Sequence, residues 1–595
     1  MPSFNLGESI PPDTAHAVSV SLPTWQANVG YEEGEQWVVS KMTTGYPRFF
    51  IHKSVTKLSD YILASYGKPG QQAMLFSTSA AAQRCLNFIA QGTDSLAASL
   101  CDVVEFTLDA SDNNSTALKG LTSTISAALF PELGFTLAKQ YWQHTGDGVS
   151  SRRAEFCYDL LKNGILIPEN HSQPPRDNFT KQLRGPRRYQ RAGSVDEAFA
   201  KAPASAPDEI KESSRFLEER FGRNLDFSLV KQAESAIRRR IAGSLSGEMD
   251  FATATSTGSV LKSTRAENLQ ESDVYLFPAG MNAIFNAHRA LLAARGNLKS
   301  INFGFPYVDT LKILQKFGPG CIFYGYASSS DLDDLEAALS SGERFLALFC
   351  EFPGNPLLVS PDLQKIRKLA DQYEFAVVVD ETIGTFANVN VLHYADIVVS
   401  SLTKIFSGDS NVMGGSAVLN PGSRYYSSLK STMSTIAEDN YWPEDVIFME
   451  RNSRDFQSRV ERVNSNAEAI CDILSGHPLV KDVFYPKLNP SKANYDACRL
   501  PNGGYGGLLS VVFRERSYAR AFYDAMDIAK GPSLGTNFTL CSPYALLAHY
   551  NELPWAAQFG VDADLVRISV GLEEKESLCG TFQKALTVAE QLNRT

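Results

Sequence analysis

Short apolar runs alternate with amphipathic segments over the middle of the chain. Four of these runs have the length and the continuous apolar character that are typical of buried strands. They are VYLFP (274–278), FLALFCEF (345–352), FAVVVD (375–380) and ADIVVSS (395–401). Segments with helical spacing separate them, as in SPDLQKIRKLADQY (360–373). Strands that are apolar on both faces and are separated by helices predict an α/β fold with a mainly parallel central sheet.

The first 167 residues have a different pattern. FSTSAAAQRCLNFIAQ (76–91) and STISAALFPELGFTLAKQYW (123–142) have the small and apolar spacing that predicts packed helices. Residues 168–210 are rich in proline and polar residues, and they predict an exposed linker. The sequence therefore predicts a separate N-terminal part.

Two more helices are predicted outside the alternating region. DFSLVKQAESAIRRRIAG (226–243) has Asp226 as a candidate N-cap and Gly243 as a stop signal. Residues 446–595 have a mixed α+β pattern, which ends in the helical segment ESLCGTFQKALTVAEQL (576–592). These segments predict a C-terminal part that is built differently from the central sheet.

Composition and charge narrow the classes of partner. The chain of 595 residues has 56 Lys and Arg against 66 Asp and Glu, a net charge of −10, which argues against nucleic-acid binding. Its dense basic group, Arg238 to Arg240, is predicted to be a solvated helix face. No apolar run approaches the roughly 18 residues of a membrane span. With no signal peptide at the N-terminus and nine scattered cysteines, we expect a cytoplasmic protein with reduced thiols.

Three chemically distinctive groups follow the predicted strands. Asp380 ends VVVD, Lys404 follows ADIVVSSLT, and Gly280 and Met281 open a helix just after VYLFP. Parallel sheets bind ligands at the carboxyl ends of their strands. A lysine, a carboxylate for a pyridinium nitrogen and a helix N-terminus for a phosphate are together what pyridoxal 5'-phosphate (PLP) requires. The sequence therefore predicts a PLP site.

Five motifs in the same order resemble those of the Cys/Met-metabolism enzymes that depend on PLP. They are FPAGMNAI (277–284), EFPGNP (351–356), VVVDETIGT (377–385), SSLTKIFSGDSNVMGGS (400–416) and LVRISVGLEE (565–574). Within that family, KGPSLGTNFTLCSP (530–543) and GYPRFFIH (45–52) look most like the fungal cystathionine γ-synthase branch.

The resemblance implies a fold type I (aspartate-aminotransferase-like) enzyme with five segments. These are an N-terminal extension domain of unknown role (1–167), a linker (168–210), an inter-subunit arm and helix (211–270), a PLP-binding domain (271–445) and a C-terminal domain (446–595). Oligomerisation and regulation are both open as roles of the extension. The family also implies a homodimer or homotetramer with shared active sites.

The resemblance also implies a role for each matched residue. Lys404 is expected to bind the cofactor covalently and to act as the catalytic base, and Asp380 to pair with the pyridinium nitrogen. Four residues are expected to bind the phosphate, namely Gly280, Met281, Ser401 and Thr403. Asn355 is expected near the ring hydroxyl, and Tyr307 to stack on the ring and to shuttle a proton. Arg567 is expected to bind the substrate carboxylate, with Ser533 beside it.

The family motif that a neighbouring subunit supplies is altered in this chain. The tyrosine-x-arginine pair that a neighbouring subunit supplies corresponds here to Phe221-Gly222-Arg223, which keeps the arginine for the phosphate and lacks the phenol. Tyr46-Pro47-Arg48 is a second candidate for that pair.

The activity implied is γ-replacement on an O-acylhomoserine, with cystathionine γ-synthase as the leading hypothesis and small-molecule amino acids as substrates. Carbon or nitrogen nucleophiles, sulfide addition and cystathionine cleavage remain open alternatives, and so does a non-catalytic scaffold. A hydrolase is excluded, because GPSLG (531–535) resembles a nucleophile elbow but no histidine follows the last acids. The dispersed histidines predict no metal site.

Overall fold

The computed structural model describes residues 4–47, 49–93, 100–109, 124–169, 227–245 and 262–592. We call the described residues from 4 to 169 the N-terminal unit. It begins with a short antiparallel pair, β1 (Ser9–Ile10) and β2 (Ser19–Val20). A four-stranded antiparallel sheet follows in the order β3-β5-β4-β6. Its strands are β3 (Gln71–Phe76), β4 (Asp102–Leu108), β5 (Ile125–Pro131) and β6 (Leu166–Pro168).

The N-terminal unit also contains helices. Their bounds are Trp25–Glu32, Gln36–Val39, Lys53–Tyr66, Ser79–Gly92, Phe135–Thr145 and Ser151–Lys162. The prediction of one helix over 123–142 is therefore wrong in its first half. Alternate residues of β5 pack into two different apolar clusters, so this strand is covered on both faces. A run that is apolar at every position has no period that distinguishes a strand from a helix.

The second sheet has seven strands in the order β7-β13-β12-β11-β10-β8-β9. Only β13 runs antiparallel to its neighbours, so the predicted mainly parallel sheet is confirmed. The four predicted strands are all present within it. The strands are β7 (Val274–Phe277), β8 (Ser300–Phe303), β9 (Cys321–Tyr324), β10 (Ala347–Glu351), β11 (Ala376–Asp380), β12 (Ile397–Ser401) and β13 (Gly415–Leu419).

Helices cover this sheet, and alternate strand residues pack into separate clusters on its two faces. The helices before and along the sheet are Phe227–Ile241, Gly280–Arg295, Val308–Lys316, Ser329–Ser340, Leu363–Tyr373, Tyr426–Ile436 and Pro443–Asn452. Predicted helices at 226–243 and 360–373 are thus present with small shifts at their ends.

The predicted solvated face of the helix Phe227–Ile241 needs a correction. Arg240 is buried, and its guanidinium donates to Ser453 Oγ at 2.8 Å and to Glu450 Oε1 at 3.4 Å. Arg239 pairs with Glu271 at 2.9 Å. Arg239 and Arg240 bind carboxylates of neighbouring elements, which a charge count along one helix cannot show.

A third sheet of five strands forms the C-terminal part, in the order β14-β15-β18-β17-β16. Its strands are β14 (Val480–Phe484), β15 (Leu508–Phe513), β16 (Ala529–Lys530), β17 (Leu540–Pro543) and β18 (Val566–Ser569). The accompanying helices are Phe456–Ser475, Lys492–Cys498, Arg516–Ala525, Tyr544–His549, Leu553–Gln558 and Lys575–Gln591. The predicted final helix is confirmed. No helix among the described residues is long and apolar enough to cross a membrane.

The N-terminal unit packs directly on the start of the helix Gly280–Arg295. Asn282 Nδ2 donates to Thr145 O at 3.1 Å and to Asp147 Oδ1 at 2.7 Å. Gly146, with φ of +65°, lies so close that an added Cβ would be 2.8 Å from Asn282 N. The close approach therefore requires glycine at this position, and the N-terminal unit forms part of the surroundings of Gly280.

Candidate functional site

A cavity of about 230 Å³ lies where the carboxyl ends of β10, β11 and β12 meet the N-terminal unit and the C-terminal sheet. Glu351, Asp380 and Ser401 are the last residues of those three strands. The structure brings ten of the predicted site residues to this one cavity. They are Gly280, Met281, Tyr307, Asn355, Asp380, Ser401, Thr403, Lys404, Ser533 and Arg567. The eleventh, Arg223, lies outside the described residues.

Lys404 is buried at the wall of the cavity, with 7% of its surface exposed. Its Nζ donates to Ser533 Oγ and to Tyr46 Oη, both at 3.0 Å. The loop that carries Ser533 also approaches the lysine closely, since a Cβ on Gly535 would be 2.9 Å from Lys404 Cβ. The hydroxyl groups of Ser533 and Tyr46 and the nearby backbone of Gly535 thus fix the position of the Lys404 amine.

Asp380 is oriented by Thr382. Both the backbone N–H and the hydroxyl of Thr382 donate to Asp380 Oδ1, at 2.9 and 2.5 Å. Burial raises the pKa of Asp380, and the Thr382 hydrogen bonds partly oppose this. A nearby cation stabilises the charged form of a carboxylate that is removed from water in this way, and a pyridinium would be such a cation.

The start of the helix Gly280–Arg295 fits a phosphate. Its N-cap residue, Ala279, supplies no side-chain hydrogen bond to the first turn, and a helix N-terminus favours an anion. Gly280 packs against Ser401, where an added Cβ would be 2.6 Å from Ser401 Cβ. The hydroxyl of Thr403 exchanges hydrogen bonds with the backbone of Gly414, at 3.1 and 3.3 Å. The N–H groups at this helix start, Lys404 and Asp380 together fit PLP.

Arg567 is buried and held by groups of the cavity wall. Its guanidinium donates to Asn355 Oδ1 at 3.1 Å and to Ser533 O at 2.7 Å, and it lies 4.6 Å from the centre of the Tyr544 ring. Asn355 also donates to Tyr544 Oη at 2.9 Å. Burial lowers the pKa of Arg567. The side chain of Asn355 thus contacts Arg567. The family resemblance predicts in addition that Asn355 lies near the ring hydroxyl of PLP.

Glu351 links two predicted site residues. One carboxylate oxygen accepts the backbone N–H of Tyr307, and the other accepts that of Asn355 at 3.0 Å. Burial, and then the charge of Asp380, raise the pKa of Glu351 to about 8. Glu351 was not predicted as a site residue, although it is the first residue of the EFPGNP motif.

Residues of the N-terminal unit also line the cavity, and apart from Tyr46 they were not predicted as site residues. They include His16, Tyr46, Phe49, His52, Trp142 and Ser150. The Tyr46-Pro47-Arg48 sequence was the signal for Tyr46. Of that motif, Tyr46 and Pro47 reach the cavity, and Arg48 lies outside the described residues.

Comparison with known proteins identifies this arrangement. A sequence model of the Cys/Met metabolism PLP-dependent enzymes matches residues 247–587. The chain belongs to this family. It is therefore a PLP-dependent enzyme of fold type I, as predicted, and the scaffold alternative is set aside. A second model, the N-terminal domain of fungal trans-sulfuration enzymes, matches residues 54–150.

Relatives in the family match over nearly the whole chain. The cystathionine gamma-synthase of Neurospora crassa is 59% identical over 99% of both chains. That of Saccharomyces cerevisiae is 40% identical over 99% of this chain and all of its own. A solved structure, the cystathionine gamma synthase of Xanthomonas oryzae pv. oryzae with aminoacrylate and cysteine, is 23% identical. It covers 61% of this chain and 98% of its own, with a TM-score of 0.48.

The raised pKa of Glu351 predicts a pH dependence of stability. Between pH 4.5 and about pH 8 the folded chain holds a proton at Glu351 that the unfolded chain has released. The unfolding free energy of the cofactor-free protein should therefore fall as pH rises through this range. In Glu351→Gln that fall should be shallower, by up to ~1.4 kcal/mol per pH unit, the value for one proton.

Urea unfolding at several pH values between those limits measures this slope. The control Glu343→Gln removes an exposed carboxyl, and its slope should equal that of the wild type. Equal slopes for Glu351→Gln and the wild type would show that Glu351 is ionised in the folded chain.

Proposed function

We propose that the protein catalyses γ-replacement on an O-acylhomoserine with a thiol, and that with L-cysteine it forms L-cystathionine. The bond from the γ-carbon to oxygen breaks, a bond from that carbon to sulfur forms, and the acyl group leaves as a carboxylic acid. The 59% identity to the cystathionine gamma-synthase of Neurospora crassa over 99% of both chains carries the proposal. The cavity adds a buried lysine, a buried arginine and the carboxylate of Asp380, which suit this chemistry.

The residues that would hold PLP follow from the geometry. The N–H groups of Gly280 and Met281 and the hydroxyl of Ser401 would bind the phosphate, and the Thr403 hydroxyl would join them by turning its proton away from Gly414 O. Asp380 would keep the ring nitrogen protonated, and Tyr307 would lie on the ring. Bound PLP supplies an electron sink for the negative charge that proton loss leaves on carbon.

Lys404 is placed to move protons. Its neutral Nζ would accept the proton from the substrate α-carbon and, as an ammonium, deliver it elsewhere in the site. Hydrogen bonds to Ser533 and Tyr46 at 3.0 Å keep the amine oriented. The hydroxyl of Tyr307 would relay a proton during loss of the γ-acyl group.

Arg567 would bind the substrate carboxylate with two parallel hydrogen bonds. The Ser533 carbonyl at 2.7 Å and the Asn355 amide at 3.1 Å hold the guanidinium in the absence of substrate. Because the guanidinium is buried and its contacts in the wall are with neutral groups, a carboxylate would supply the missing negative charge.

The proposal includes an assembly of two or four chains with shared sites. Arg223 of a neighbouring subunit would then reach the phosphate, as the family motif implies. The structure describes one chain, so the assembly rests on the sequence resemblance.

A panel of substrates tests the proposed function. Purified holoenzyme is given O-acetylhomoserine or O-succinylhomoserine with cysteine, sulfide or a β-keto compound, and products are identified by mass spectrometry. We expect cystathionine from cysteine as the main product. The matched control is the same acyl compound without its α-carboxylate, which cannot pair with Arg567 and should not react. Faster turnover with sulfide or with the carbon nucleophile would contradict the proposal.

A further inference from the structure

A tyrosine of the N-terminal unit lies against the reactive amine. Tyr46 Oη accepts a hydrogen bond from Lys404 Nζ at 3.0 Å, although the two residues are 358 positions apart. The same Nζ is 4.6 Å from the centre of the Tyr46 ring. Hydroxyl and ring thus both contact one atom, Nζ, that the proposed reaction uses.

The loop of Tyr46 is fixed by its packing. Gly45 has no room for a side chain, because an added Cβ would be 2.4 Å from Phe50 Cβ. Phe50 packs against an apolar cluster that includes Leu22 and Leu547, so it joins the N-terminal unit to the C-terminal part. Thr44 Oγ1 donates to Ala17 O at 2.9 Å within the buried interior. The position of Tyr46 is therefore determined by the fold on both sides of the loop.

Ser533, the second hydrogen-bond partner of Lys404 Nζ, is also connected to the segment around Ala17. Ser19 Oγ, in β2, donates to Pro532 O at 2.6 Å, one residue before Ser533. Val18 N donates to Ser410 O at 2.8 Å, in the loop that follows Lys404. The segment 17–22 thus connects the loop of Tyr46 with the loops on either side of the lysine.

We propose that Tyr46 is a catalytic residue and that the N-terminal unit completes the active site of its own chain. Tyr46 Oη holds Lys404 Nζ in position while the amine takes the α-proton of the substrate. The nitrogen becomes an ammonium and donates one N–H to the phenol oxygen, and the phenol keeps its own proton. This inference rests on the proposed role of Lys404 and is independent of which nucleophile the enzyme uses.

The variant Tyr46→Phe tests the hydroxyl while keeping the ring. We expect the holoenzyme to form with its visible absorbance, and kcat to fall by about 100-fold, as for a misplaced catalytic group, with KM little changed. Exchange of the substrate α-proton with deuterated solvent should slow in parallel. The control Tyr66→Phe removes a phenol from the same unit, where the ring packs on Phe106 at 5.2 Å, and its kcat should equal that of the wild type.

Three outcomes separate this inference from the proposed function. Wild-type kcat and exchange rates in Tyr46→Phe, with borohydride fixing the cofactor to Lys404, would overturn the role of Tyr46 alone. Cofactor fixed to another lysine in the wild type would overturn the proposed function as well. A loss of kcat and exchange in Tyr46→Phe, with Lys404 still labelled, would support both.

Mixed oligomers test whether one chain supplies both groups. Tyr46→Phe and Lys404→Ala chains are co-expressed with different tags, and the mixed species is purified. If each chain completes its own site, no site in the mixed species has both residues, and its activity should not exceed that of Tyr46→Phe. Recovery of wild-type activity per intact pair would show that Tyr46 crosses to the partner subunit.

Discussion

In Lys404→Ala we expect turnover to fall by about 10³-fold or more, because one residue loses both the covalent attachment of the cofactor and the catalytic base. The variant should still fold and bind PLP without a covalent bond, since the groups of Gly280 and Ser401 that are proposed to bind the phosphate are unchanged. Borohydride should fix the cofactor to the Lys404 peptide of the wild type and leave the variant unlabelled. Substrate α-proton exchange in deuterated solvent should be lost with turnover.

Lys530 provides the matched control, because it is the other lysine that is buried among the described residues. Its Nζ donates to Pro23 O at 3.1 Å and to Asp524 O at 2.9 Å, and it does not line the cavity. Lys530→Met should keep the label on Lys404 and keep the α-proton exchange. Label on Lys530, or wild-type exchange in Lys404→Ala, would contradict the assignment of Lys404.

The central sheet and its strand ends could be predicted because their signals are local. A continuous apolar run marks each buried strand, and Asp380 stands out where such a run ends. Lys404, Gly280 and Arg567 were found through short motifs whose residues are close in sequence. The structure adds that these motifs meet at one cavity.

Features that depend on distant contacts could not be predicted in the same way. Tyr46 reaches Lys404 through a loop that is held by β2 and by Phe50, and no local pattern encodes that path. Arg240 is buried against Glu450, which lies in another helix, and Ser453, which directly follows that helix. The strand Ile125–Pro131 was predicted as a helix because its two covered faces remove the polar alternation.

In Asp380→Asn we expect kcat to fall by about 10²- to 10⁴-fold, the usual contribution of a group that controls protonation in the transition state. The amide keeps the shape of the side chain, and its Oδ1 can still accept both hydrogen bonds from Thr382. The fold and the covalent attachment to Lys404 should therefore survive, with the cofactor still visible by absorbance. What is lost is the negative charge that would hold the ring nitrogen protonated, so α-proton exchange should slow as much as kcat.

The variant Asp380→Glu separates this charge from the shape of the side chain. It keeps the carboxylate but displaces it by one methylene, so it should exchange the α-proton faster than Asp380→Asn if charge is the essential property. A second effect follows from the neighbouring strand. The charge of Asp380 helps to raise the pKa of Glu351, so removal of that charge in Asp380→Asn should lower the pKa of Glu351 below about 8. Near-normal exchange in Asp380→Asn, or slower exchange in Asp380→Glu than in Asp380→Asn, would contradict the proposed pairing with the pyridinium nitrogen.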